Sequence, residues 1–170
     1  MKPAARVTIV SLAVAAAACS GPVEQELRHL PVRDLEGVVT MPGDGVVLDM
    51  ETTTDRDGSL RMHAEGPSQV FLYELDDVDV DDSVLVYRAN VKTKDVRGKA
   101  YLEMYLTFPG RGTFFSQSDA MAQSGTSDWT TQETRFLLKE GENPSRVQLN
   151  LVIDGTGVVW VDDIHLAAAK

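Results

Sequence analysis

One cysteine and three histidines occur among 170 residues, so an intrachain disulfide is excluded. His29, His63 and His165 are scattered along the chain and suggest neither a metal triad nor a nucleophile relay. Basic residues are also short, 16 Lys and Arg against 26 Asp and Glu, for a net charge of −10. Such a surface repels phosphate backbones and argues against nucleic acid as a partner. No serine stands in a G-x-S-x-G elbow and no glycine-rich phosphate loop occurs. Carboxylates are common enough that some pair will lie close by chance, which gives no argument for a glycosidase. The chain reads as non-catalytic. No repeat of useful period is present, and no apolar run is long enough to span a bilayer.

The first thing present is an N-terminal address. Lys2 and Arg6 precede a small apolar run, Val7 to Ala18, and Cys19 follows three alanines. Ala16-Ala17-Ala18-Cys19 resembles the lipobox of a bacterial lipoprotein signal, with an ordinary secretory signal as the alternative. The resemblance implies removal of residues 1–18 and acylation of Cys19 by palmitate-like chains. Each buried CH₂ contributes about 0.8 kcal/mol, so two or three chains give a lasting membrane anchor. Ser20 after the cysteine, where an aspartate would signal retention, favours the outer over the inner membrane of a cell envelope that has both. The mature chain would carry 14 basic and 26 acidic residues, net −12, and would rely on its core for stability. Residues 19–34, with Pro22 and Pro31, read as a tether, with room for one helical turn around Glu24 to Leu30.

From residue 35 to 170 short apolar runs alternate with Gly, Asp and Pro, the texture of an all-β domain. Pro42-Gly43-Asp44-Gly45 and Glu65-Gly66-Pro67-Ser68 mark hairpins or turns, and the five aspartates of Asp76 to Asp82 mark a solvated loop. Val84 to Thr93 and Lys99 to Phe108 read as two strands. In the second, Ala100, Leu102, Met104, Leu106 and Phe108 form the buried row and send Tyr101, Glu103 and Tyr105 outward. Residues 108–128 read as a polar surface excursion containing Phe114 and Phe115, followed by a strand from Thr131 to Lys139. Val147, Leu149, Leu151 and Ile153 alternate with polar residues. Asp154-Gly155-Thr156-Gly157 then predicts a reversal, with Val158 to Leu166 pairing back on the preceding strand. About nine strands at this spacing predict an antiparallel β-sandwich.

Trp129 after Gly125-Thr126-Ser127-Asp128, the strand Val147 to Ile153, and Gly157-Val158-Val159-Trp160-Val161-Asp162-Asp163-Ile164 resemble the closing third of galactose-binding-like jelly rolls. The resemblance holds especially for the xylanase-associated carbohydrate-binding modules. Asp57-Gly58-Ser59-Leu60-Arg61 and Tyr87-Arg88-Ala89-Asn90-Val91-Lys92 look like the early strands of the same fold. The resemblance implies a jelly roll with a structural Ca²⁺ between an early strand and the last, matching Glu51 and either Asp162 or Asp163. The two aspartates are adjacent on a strand, so only one of them should face the ion. The other reading of this pair is a polar end to the core pattern at the sandwich rim.

The outward row supplies the candidate ligand site. Tyr101, Glu103 and Tyr105 are expected beside Arg88 and Asn90 if their strands pair, with Gln148 and Asn150 joining on the same sheet. Aromatic faces flanked by amides and charges suit a polyol; the same residues are also ordinary on a solvated sheet face. Trp129 and Trp160 are assigned to packing. The function expected is a lipid-anchored carbohydrate-binding or glycan-associated accessory module. The alternative is an assembly lipoprotein that contacts another envelope protein through Phe114 and Phe115.

Overall fold

The computed structural model describes residues 23–35, 37–39 and 45–170. The signal at 1–18, Cys19 and the turn residues 42–44 lie outside the described residues. Among the described residues eight strands form, in order β1 (Glu24–Leu30), β2 (Val46–Asp49), β3 (Ser59–Ala64), β4 (Ser68–Asp76), β5 (Ser83–Phe108), β6 (Gly112–Gln117), β7 (Gln123–Leu138) and β8 (Arg146–Ala169). All of their ladders are antiparallel.

Two strands are far longer than the rest, 26 residues in β5 and 24 in β8. They run side by side from Val84 opposite Ala169 to Thr107 opposite Arg146. This ribbon bends where Gly98 meets Gly155, with φ of +116° and +149°. A Cβ on Gly98 would stand 2.0 Å from the Asp154 carbonyl oxygen, and one on Gly155 1.9 Å from that of Arg97. Only glycine allows backbones to pass this closely.

Each half of the ribbon is the centre of one layer. Residues 83–94 and 158–169 carry β7 on one side and β1 and β3 on the other, with β2 outside β3. Residues 99–108 and 146–153 carry β6 and β4. Leu85, Tyr87, Ala89 and Val91 of the first layer share one core with Leu102, Met104, Leu106, Val147, Leu149, Leu151 and Ile153 of the second. The protein is an antiparallel β-sandwich of jelly-roll type, and the inward rows are those the alternation predicts.

Three expectations about connectivity are corrected. The chain does not reverse at Asp154 to Gly157: β8 continues through it and pairs with β5 rather than with itself. Gly155 and Gly157 do take positive φ, +149° and +137°, yet both stay paired within the sheet, opposite Gly98 and Ala64. Val84 to Thr93 and Lys99 to Phe108 are likewise two halves of β5 and do not pair with each other. Finally, Glu24 to Leu30 is neither tether nor helical turn but strand β1, laid along Ile164 to Ala169.

One irregularity of β8 bears on its outer face. Val159 and Val161 are core residues, and so are Ile164, Leu166 and Ala168. The step from 161 to 164 breaks the period of two and needs one extra residue. Asp163 is at φ +52°, and the ladder to β5 shifts between Arg88/His165 and Asn90/Asp162. That is a β-bulge, tolerated because aspartate accepts the left-handed region better than most residues.

Candidate functional site

The outer face of the second layer carries three cross-strand rows. Phe71, Asn150, Glu103 and Gln117 form the central one; Gln69, Val152 and Tyr101 flank it on one side; Glu74, Gln148, Tyr105 and Phe115 on the other. Tyr101, Glu103, Tyr105, Gln148 and Asn150 are thus brought together as the alternation predicts. The face holds an open depression of ≈ 380 Å³ lined by Pro67, Ser68, Gln69, Tyr101, Glu103, Val152, Ile153 and Asp154.

The hydrogen bonds across this face link three strands. The Gln69 Nε2 donates to the Glu103 carboxylate and to the Tyr105 hydroxyl, the latter at 3.2 Å. Lys99 Nζ lies 5.4 Å from the centre of the Tyr101 ring while pairing with Asp119. Partial burial, then the charge of Glu103, pushes the Tyr101 phenol above its usual range, so it remains a neutral donor and acceptor. Phe115 tilts against Tyr105 at 6.1 Å. Asn150 is fully buried, and neither its Nδ2 nor its Oδ1 has a protein partner. A buried amide left unmatched costs about 1–3 kcal/mol.

Gln69 was not among the residues expected from sequence. Its place follows from a strand partner that local pattern does not name: β4 pairs with β8, which sets Gln69 opposite Val152. Arg88 and Asn90 do not belong to this face. They lie on the far half of β5, beyond the bend, in a second depression with Glu26, Thr131, Asp163 and His165. Arg88 pairs there with Glu24 at 3.0 Å and Glu133 at 2.9 Å. Hydrogen bonds from Arg88 lower the carboxyl of Glu24; those from Arg88 and Arg135 lower that of Glu133 against the opposing effect of burial.

The residues expected to hold Ca²⁺ are dispersed. Asp162, 1% exposed, accepts hydrogen bonds at 2.7 Å from the Thr54 N–H and hydroxyl on Oδ2 and from the Asp163 N–H on Oδ1. Its oxygens therefore secure the loop after β2. Glu51 is exposed, and Asp163 serves other neighbours: Asn90 Nδ2 donates to its Oδ2 at 3.3 Å. Among the described residues these three carboxylates form no cluster within ligation reach. Calcium takes six to eight oxygens, and these three carboxylates do not gather to supply them together.

The expectation that the histidines stand apart is also corrected. β1 places His29 directly opposite His165. Their rings stack at 4.2 Å with 5° between planes, both beside Asp163.

No protein-family model and no curated protein matches the chain. Solved structures do. The xylan-binding CBM22-1 domain of Paenibacillus barcinonensis Xyn10C is similar over 89% of this chain and 99% of its own, at 19% identity and a TM-score of 0.60. Another xylan-binding domain of family 22 aligns over 85% of this chain and 95% of its own, at 14% identity and 0.57. The CBM22-1 and GH10 modules of Clostridium thermocellum Xyn10B, solved with xylohexaose, are similar at 13% identity and 0.61. The match covers 84% of this chain and 28% of that one. The likeness is one of fold. The jelly roll expected from the motifs around Trp129 and Trp160 is therefore the fold observed.

Proposed function

We propose that this protein is a non-catalytic carbohydrate-binding module, held on the bacterial cell envelope by acyl chains on Cys19, that takes a polysaccharide chain along the outer face of its second layer. The observation that carries the reading is the open depression on that face, where Tyr101 stands beside Glu103 and Gln69. Tyrosine offers an apolar face to a sugar ring while its hydroxyl stays polar. Gln69 and Glu103 offer the donors and acceptors that hydroxyls need. Support also comes from three structural neighbours whose names record xylan-binding domains or a xylohexaose complex.

The test is calorimetric titration against xylan and other plant, microbial and envelope polysaccharides. Tyr101→Ala and Glu103→Gln should each weaken binding at least tenfold, about 1.4 kcal/mol, with unchanged melting. Flat titrations across the panel would remove the reading. Lipidation is checked separately by labelled-palmitate incorporation, which Cys19→Ser should abolish, and the outer membrane is the location expected on fractionation. A second reading, assembly with another envelope protein, is favoured by Phe114 and Phe115, 43% and 58% exposed. They stand on strand β6 rather than in a loop, and reproducible crosslinking from β6 to one partner, with no glycan bound, would establish it.

A further inference from the structure

We infer that His29, Asp163 and His165 form a binding site for a divalent transition metal such as Zn²⁺, on the outer face of the first layer and independent of the carbohydrate reading. The His29 Nε2 lies 3.2 Å from Asp163 Oδ1 and the His165 Nε2 2.8 Å from the same oxygen. All three ligand atoms fall within 4.8 Å of one another. Tetrahedral ligands at about 2.0–2.1 Å from zinc stand roughly 3.3 Å apart, the order of the separations seen, and the two rings, now stacked, would turn out of parallel for both Nε2 lone pairs to meet one ion.

The fold builds this arrangement from three elements. β1 sets His29 across from His165 in the ladder. The bulge in β8 lets Asp163, at φ +52°, share the outer face with His165 while Ile164 between them stays in the core. The surrounding groups aim the ligands. Glu26 Oε2 stands 2.8 Å from His165 Nδ1. A carboxylate on that nitrogen holds its proton there and leaves the Nε2 lone pair for a metal. Asn90 occupies the other oxygen of Asp163. Two imidazoles and one carboxylate select zinc, copper or nickel over calcium and magnesium, which prefer all-oxygen shells. Three protein ligands on an accessible face leave coordination positions for water or a further ligand.

A bound ion would join the first strand of the domain to its last. The experiment uses untagged full-length protein in detergent, stripped with chelator and titrated with ZnCl₂ or CaCl₂ alone. One Zn²⁺ per chain is expected at micromolar affinity, with a raised melting temperature and no comparable response to Ca²⁺. His29→Ala, His165→Ala and Asp163→Asn should each weaken uptake at least tenfold, and Glu26→Gln by about tenfold or more. His63→Ala, which alters the remaining histidine, should leave uptake unchanged. No stoichiometric Zn²⁺ uptake by the folded protein, or uptake indifferent to the His29 and His165 changes, would overturn the site and leave a histidine–carboxylate hydrogen-bond ladder.

Discussion

Asp49 and Trp160 show how a single polar contact closes the rim of the first layer. Val159 and Val161 face the core, so Trp160 must face outward, and it is buried there with its indole N–H donating to Asp49 Oδ2 at 2.8 Å. The backbone N–H groups of Glu51 and Thr52 donate to Oδ1 of the same carboxylate. Burial alone would raise its pKa, but these bonds, Trp160's foremost, outweigh it and hold the carboxyl below the usual aspartate range. A depressed folded pKa stabilises the fold above the unfolded value, and that contribution is lost as pH falls through the lower folded one. The urea midpoint should therefore drop between pH 7 and pH 3, and by less in Asp49→Asn; an equal drop would dismiss this carboxylate as a source. Trp160→Phe should cost about 1.5–3 kcal/mol at pH 7, the range for hydrogen bonds to charged groups. Residue-level legibility was uneven for a plain reason. Tyr101, Glu103 and Tyr105 follow from alternation within one strand, whereas Gln69 and His29 acquire their roles from strand partners distant in sequence.

The decisive elements are β5 and β8, and here composition misled. Gly-rich segments at 154–157 and around Gly98 carry the same signal whether the chain reverses or two backbones cross, because both need positive φ or a missing Cβ. The choice depends on a partner that local pattern cannot name. The consequence was large, since the supposed strand pairing is what placed Arg88 and Asn90 beside Tyr101 instead of beside His165. Substitution distinguishes the two geometries. Gly98→Ala and Gly155→Ala drive a Cβ into a carbonyl oxygen of the opposing strand, at 2.0 and 1.9 Å, and should cost about 1–3 kcal/mol or more. Gly66→Ala, where a Cβ meets nothing within 4 Å, should stay within about 0.5 kcal/mol of wild type. Urea unfolding measures all three, and a tolerated Gly155→Ala would refute the crossing.

At the scale of the whole molecule, the same ribbon ties two chemically distinct faces to one core. The all-β class, the sandwich and the inward rows were legible because burial imposes period two on every strand. What the sequence could not convey is that the central strand pair belongs to neither layer alone: β5 and β8 each pass through both. Neither layer can then open while the other stays folded, because loosening residues 146–153 detaches the partner of 99–108 and exposes Leu102 and Met104 to water. Unfolding should accordingly be a single transition. Hydrogen exchange at Leu149 and Leu151 in one layer and at Val159 and Val161 in the other should report the same opening free energy, and both should fall equally when Gly98→Ala strains the bend. Layers that exchange with clearly different free energies would mean that the bend is a hinge between two separately stable halves, and the continuity of β5 and β8 would then carry no cooperativity.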